Sequence, residues 1–370
     1  MDTSDLPSHR RRVSRRALLG WGIASGIGFA LSRVLCILES PCTSFDLYTY
    51  EGQTGALAWS PDGTKIAAGI NHTVQIWEST SGRRLLTYAG HPQHVLSVSW
   101  SPDNTRLVSV GLEGSMQVWQ TSDGKPLWVF PDPPPLTEGI LACAAWSPDG
   151  TFIAATGVVT RFSEESTTTL WDAARGTLVR GYPDRALYTQ RVAWSPESTH
   201  LATGGYNQSL AVWHANSSQK IWDYQGDAAY VYGLAWSPDG TRIASCGNKP
   251  IVLFASNGGV RIWNATSGRR VLTYQGHSSQ VDLWALAWSP NGKFIASGGT
   301  DQIVQVWDAR TGEHLLTYRG HADQPPMPEW AYPYAIRALA WAPDSTRLAS
   351  SAISGPIHVW KISEGKVGPP

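Results

Sequence analysis

At seven places along this chain a Trp opens the turn phrase W-[SA]-P-[DNE]-x, at Trp59, Trp100, Trp146, Trp194, Trp236, Trp288 and Trp341. Downstream of each, a second Trp closes a short apolar run, at Trp77, Trp119, Trp171, Trp213, Trp263, Trp307 and Trp360. The opening residues are spaced by 41, 46, 48, 42, 52 and 53 positions, and a four-stranded meander uses about 40–45 residues. Fourteen of the nineteen Trp residues therefore belong to a repeated unit.

The segment Leu283–Gly320 shows the unit without insertion. LWALAW (283–288), FIAS (294–297), VQVW (304–307) and HLLTY (314–318) read as four short strands, and the alternation of large and small side chains gives each pleated strand two faces. Between them, Ser289-Pro290-Asn291-Gly292 and Ala309-Arg310-Thr311-Gly312 supply turn residues, with Gly where a positive φ is needed. One such sheet cannot bury both of its faces, so neighbours must stack and the array must close. The expected fold is all-β: a seven-bladed β-propeller of four-stranded antiparallel blades.

The last unit ends at Ile357–Ile362 (IHVWKI) and is one strand short. The missing phrase lies at the other end of the chain, where Leu47–Gly52 repeats the L-x-T-Y-x-G pattern of Leu315–Gly320. Residues 46–50 are therefore expected to pair antiparallel with 357–362, closing the ring and removing an open sheet edge. The predicted organisation is a leader and linker over 1–42, a propeller over 45–364 and a tail over 365–370.

The phrases TYQGH (Thr273–His277), WSPNG (Trp288–Gly292) and VWDA (Val306–Ala309) resemble the signatures of WD-repeat propellers. The resemblance implies a hydrogen-bond network of His, Ser, Asp and Trp, carried in blade six by His277, Ser297, Asp301 and Trp307. Elsewhere the Asp place holds Asn71, Glu113, Glu165, Asn207, Asn257 and Ser354, and the Gly-His pair survives only at His91, His277 and His321. A complete network is thus expected in blade six alone, with Trp packing supporting the other blades.

The resemblance also implies that the loops entering the first strand and those joining the second to the third open on one end of the ring. Every long insertion falls in those loops: 131–139, 158–167, 248–257 and 322–335. They carry Arg161, Phe162, Lys249, Phe254, Trp330, Tyr332 and Tyr334, residue types that anchor interfaces, in partly Pro-rich loops that lose little entropy on binding. The expected role is a non-enzymatic interaction scaffold, monomeric, holding a protein or peptide on that end. The rival reading is a propeller enzyme or small-ligand binder that uses the central channel.

Residues 10–16 (Arg-Arg-Arg-Val-Ser-Arg-Arg) precede an uncharged, mostly apolar stretch, Ala17–Leu31, the layout of an export signal. Ser14–Leu19 resembles the bacterial twin-arginine translocation motif, and Ala30-Leu31-Ser32 offers a small-x-small cleavage site. Left uncleaved, residues 17–38 form the expected membrane contact. The expected location is outside the cytoplasmic membrane; a cytoplasmic scaffold with an unused leader is the alternative.

Lys plus Arg and Asp plus Glu balance at 29 each, so no basic face is advertised and nucleic acid is not an expected partner. Four Cys residues make no disulfide framework. Cys143 and Cys246, in blades three and five, read as inert core thiols, and Cys36 and Cys42 flank the leader boundary. The chain has no H-E-x-x-H, G-x-x-x-x-G-K-[ST], G-x-S-x-G or C-x-x-C motif, and no cofactor or metal is expected. His91 reads as a network residue and His94 as its loop neighbour, with the channel mouth supplied mainly by Ser, Thr, Asn and aromatics.

Overall fold

The repeat pattern resolves into seven separate four-stranded sheets, each antiparallel, in a ring. The computed structural model describes residues 42–50, 54–130, 140–158, 168–183, 189–205, 209–225, 230–248, 259–278, 281–322 and 334–364. Blades one to six span residues 54–88, 95–130, 140–182, 189–225, 230–274 and 283–318. Within each, strands A to D follow chain order, and strand A packs beside strand A of the next blade. Among the described residues no helix is long and apolar enough to cross a membrane.

Blade seven takes strands A to C from Ile336–Trp341, Arg347–Ala352 and Ile357–Glu364, and its fourth strand from Cys42–Tyr50. The pairing runs antiparallel from Cys42↔Glu364 to Tyr50↔Ile357, with a bulge between Asp46 and Tyr48. The seam is longer than the expected 46–50 with 357–362. The sequence match marks only the L-x-T-Y-x-G phrase, whereas any further residues in register extend the ladder. The strand that closes the ring accordingly starts at Cys42.

Each closing Trp is covered by the aromatic at or near the end of strand D in the preceding blade. Tyr88 stacks on Trp119, Tyr274 on Trp307 and Tyr318 on Trp360, with ring centroids 4.4, 4.6 and 4.4 Å apart and planes within 11°. Phe130, Tyr182 and Tyr224 cover Trp171, Trp213 and Trp263 in tilted or edge-on geometry. The seventh cover is Tyr50, tilted at 34° with its ring centroid 4.7 Å from that of Trp77, so the N-terminal strand supplies an aromatic cover as well as a ladder.

The opening Trp residues tie the blades at the turn end. The indole N–H groups of Trp59, Trp100, Trp194, Trp236 and Trp341 donate at 3.0–3.2 Å to the carbonyls of Ala340, Ala58, Ala145, Ala193 and Ala287 in the preceding blade. Trp288 bonds its own turn at Gly292 instead. In blade two Ser99 replaces the Ala; its hydroxyl accepts the Trp146 backbone N–H, and the Trp146 indole N–H has no partner. The turn after each opening Trp needs a left-handed residue. Gly63 takes it at φ 70°, while Ser198 adopts 61° at the same place.

The hydrogen-bond networks differ from expectation in two blades. In blade six, His277 bonds Asp301 through Nδ1 (2.7 Å) and Ser297 through Nε2 (2.9 Å), but the Trp307 indole N–H has no partner. In blade two all the links form: His91 Nδ1 to Glu113 at 2.6 Å, His91 Nε2 to Ser109 at 2.7 Å, and Trp119 N–H to Ser109 at 3.1 Å. Blade six is therefore not the complete one. Glu is one methylene longer than Asp, and Gly111 makes the room: a Cβ there would stand 2.1 Å from the Glu113 carboxylate. Burial pushes the Glu113 carboxyl up, but bonds from His91 and Ser115 outweigh it and hold it low.

Blade seven has no carboxylate at this place. His321 bonds Ser350 at 2.8 Å, which also accepts the Trp360 indole N–H, and the His358 ring lies 4.3 Å from that of His321. Burial, with His358 nearby, pushes His321 down to about 3, so it stays neutral in the core.

Candidate functional site

Strand A of every blade contributes to the channel wall, through residues two to four places before the opening Trp. Two cavities of about 330 and 310 Å³ occupy the channel, and both are lined by Gly55, Leu96, Arg191 and Arg337. The first also touches Asn71, His94 and Ile353, which lie in or beside the connections at the loop end, so it forms the mouth on that side.

The wall is lopsided although the backbone repeats. At the place four before the opening Trp, blades one and three carry Gly55 and Ala142, whereas blades five to seven carry Tyr232, Trp284 and Arg337. Their rings form a continuous ladder. Tyr230 and Tyr232 have centroids 6.1 Å apart, Tyr232 and Trp284 meet edge-on at 6.2 Å, and the Arg337 guanidinium sits 3.5 Å from the Trp284 ring centroid. Stacking of this kind holds a guanidinium while leaving its edge for hydrogen bonds.

Arg191, on blade four, is fixed differently. Its Nε donates to the Tyr232 carbonyl at 2.7 Å and one amino group donates to the Gln190 carbonyl at 3.2 Å. Among the described residues lining either cavity there is no Asp or Glu. The sequence reading of the channel as Ser, Thr, Asn and aromatics therefore missed its two cations. The reason is local: a register shift between Thr189 and Arg191 lets both Gln190 and Arg191 reach the lumen, where strict alternation would hide one of them.

Cys143 is also a channel residue. It is half-buried: it packs against the core cluster around Tyr182 and Trp194 and also lines the lumen beside Ser97, 3.7 Å from the Ser97 hydroxyl, so it is a core thiol only in part. Cys246 is one: it is fully buried, and burial pushes its thiol up to about 12. The two sit in different blades and are unpaired.

The four long connections leave from a single end of the ring. Residues 131–139 and 323–333 lead from strand D into the next strand A, while 159–167 and 249–258 join strands B and C. In an antiparallel meander both kinds of connection fall at the same end. Of the residues expected to form a partner surface, Arg161, Phe162, Lys249, Phe254, Trp330 and Tyr332 lie outside the described residues, and Tyr334 is half-buried. Glu165, Asn207 and Asn257, and the whole leader, also lie outside them.

A closed ring of seven such blades, with Trp-Ser-Pro turns at one end and His-carboxylate pairs at the other, defines a propeller of the WD class. The family description "WD domain, G-beta repeat" matches residues 45–78, 82–120, 124–172 and 268–308, and "Anaphase-promoting complex subunit 4 WD40 domain" matches 192–283. The chain belongs to the WD40-repeat family.

It is similar to "Cell division cycle 20.1, cofactor of APC complex" of Arabidopsis thaliana, 34% identical over 26% of this chain and 22% of that protein. It is similar to the human "WD repeat and HMG-box DNA-binding protein 1", 31% identical over 43% of this chain and 14% of the relative. The "WD repeat-containing protein srw1" of Schizosaccharomyces pombe is 23% identical over 53% of this chain and 42% of its own length. The chain spans less than half the length of each of these curated relatives.

Proposed function

We propose that this ring is a non-enzymatic platform that holds a protein or peptide on the end carrying its long connections. The observation that carries the reading is the partition of loop length. All four long connections leave from one end, whereas the turns at the other end are short and tied down by repeated Ser, Asp and Thr bonds, as in Ser60-Asp62-Thr64 and Ser237-Asp239-Thr241. Variation confined to one end of a rigid scaffold is how recognition surfaces are built. The name of the Arabidopsis relative, a cofactor of a complex, supports a binding role, and the balanced charge favours protein over nucleic acid.

Arg161, Phe162, Lys249, Phe254, Trp330, Tyr332 and Tyr334 are the proposed contact residues. Replacing Trp330, Tyr332 and Tyr334 together with Ala is expected to abolish capture of the partner in an affinity pull-down from the native host, while the melting temperature stays within about 2 °C of wild type. Capture retained at the wild-type level removes that loop from the interface.

We further propose that the ring is displayed outside the cytoplasmic membrane, directed by Ser14–Leu19 and either cut near Ala30-Leu31-Ser32 or anchored through residues 17–38. Arg15→Lys with Arg16→Lys is expected to shift the protein to the cytoplasmic fraction of a bacterial host. An unchanged distribution between fractions sinks the export reading. A second reading, a small-ligand binder using the channel, is favoured by the lumenal positions of Arg191 and Arg337.

A further inference from the structure

Two cations line a channel in which no described lining residue is an acid, and their placement on the ring is specific. Arg191 belongs to blade four and Arg337 to blade seven, three blades apart, the largest separation a ring of seven permits. The two side chains therefore come from opposing walls. The Arg191 fork is held by backbone carbonyls at Nε and one amino group, and its second amino group bonds no described residue. Side chains held in place before a ligand arrives lose little entropy on binding it.

Between the arginines the lumen has two textures. Tyr232 and Trp284, edge-on to one another, make an aromatic wall on blades five and six, and Gly55 and Ala142 on the facing blades leave the space open. A cavity of about 310 Å³ holds one side chain or one small organic acid, the lower range of small-molecule sites. Guanidinium groups select planar oxyanions, and a carboxylate takes two parallel N–H bonds from one fork.

We propose that the channel is a carboxylate-binding site. Arg191 and Arg337 receive the carboxylate, and the carrier group lies along the Tyr232–Trp284 wall. The carboxylate belongs either to a free aromatic or alkyl acid, or to the C-terminus of a peptide entering from the loop end. None of the described residues lining the site is a residue of the proposed platform, and the triple Trp330, Tyr332, Tyr334 variant is expected to bind the acid as wild type does, so each proposal can fail alone.

The test is isothermal titration of the ring with phenylacetate and its neutral isostere phenylacetamide, and with a short peptide ending in Phe as free acid and as amide. At least one acid is expected to bind, at least tenfold tighter than its amide, and Arg191→Gln or Arg337→Gln is expected to weaken it at least tenfold, about 1.4 kcal/mol. Binding of the peptide acid without phenylacetate identifies a peptide terminus as the source; the reverse identifies a free acid.

A readout on the unmutated ring covers the case in which a variant misfolds. Cys143 lines the same lumen, so the bound acid should slow its alkylation by iodoacetamide several-fold, followed by peptide mass. Equal affinity for acid and amide, unchanged affinity in folded Arg→Gln variants, no titration by either acid, or unprotected Cys143 at saturation overturns the proposal.

Discussion

Deleting residues 42–50 lowers the melting temperature of the ring by about 10 °C or more, or yields a product that aggregates. Eight residue pairs join this strand to Ile357–Glu364, and each ladder hydrogen bond contributes about 0.5–1.5 kcal/mol net. Tyr50 is 5% exposed and covers Trp77, so its loss also uncovers an indole in blade one. The combined loss is several kcal/mol against a total stability of about 5–15 kcal/mol, and about 2 °C follows each kcal/mol in a chain of this size. Differential scanning calorimetry of the truncated and intact rings reads the shift. A melt unchanged by the deletion means that the seam contributes nothing and that the closure is wrong.

Trp119→Ala and Trp307→Ala are each expected to cost about 3–5 kcal/mol in chemical denaturation. Both rings are fully buried and lie parallel to a Tyr of the preceding blade, and such a stack adds about 0.5–1.5 kcal/mol beyond area burial. The Phe variants separate the two sites. Trp119→Phe keeps the stack but removes the bond to Ser109, whereas Trp307→Phe removes an N–H that has no partner. Trp119→Phe should therefore be the more costly of the two by about 1 kcal/mol. Equal costs contradict the difference between the blade-two and blade-six networks.

The fold was readable because its period is written in large residues. Trp at fixed places and Pro-Asp-Gly turns set both strand spacing and blade number, and the orphan L-x-T-Y-x-G phrase at Leu47 exposed the seam. The tilted contact of Tyr50 with Trp77 is the same signal seen in three dimensions. The networks were less legible, since a residue pattern treats Glu113 as a failed Asp. Only the space above Gly111 shows that the longer chain reaches His91.

The channel was hidden for a related reason. Its lining sits beside a bulge that breaks the two-residue alternation, so Arg191 reads from sequence as one more residue of a strand. The cross-blade bonds of the opening Trp residues were missed as well, because a repeat shows which residue recurs but not which neighbouring backbone it touches. The loop residues carry an interface composition, and their positions lie outside the described residues.

The origin of the last sheet sets a schedule for biosynthesis. Tyr50 leaves the ribosome 307 residues ahead of its partner Ile357, a wait of about 15–60 s at bacterial or eukaryotic translation speeds. Throughout that interval the earliest strand has no mate, and a ring of six finished sheets stays open. Assembly is thus gated by the emergence of Ile357–Glu364, and whatever shields that waiting segment in the cell governs the yield of native protein.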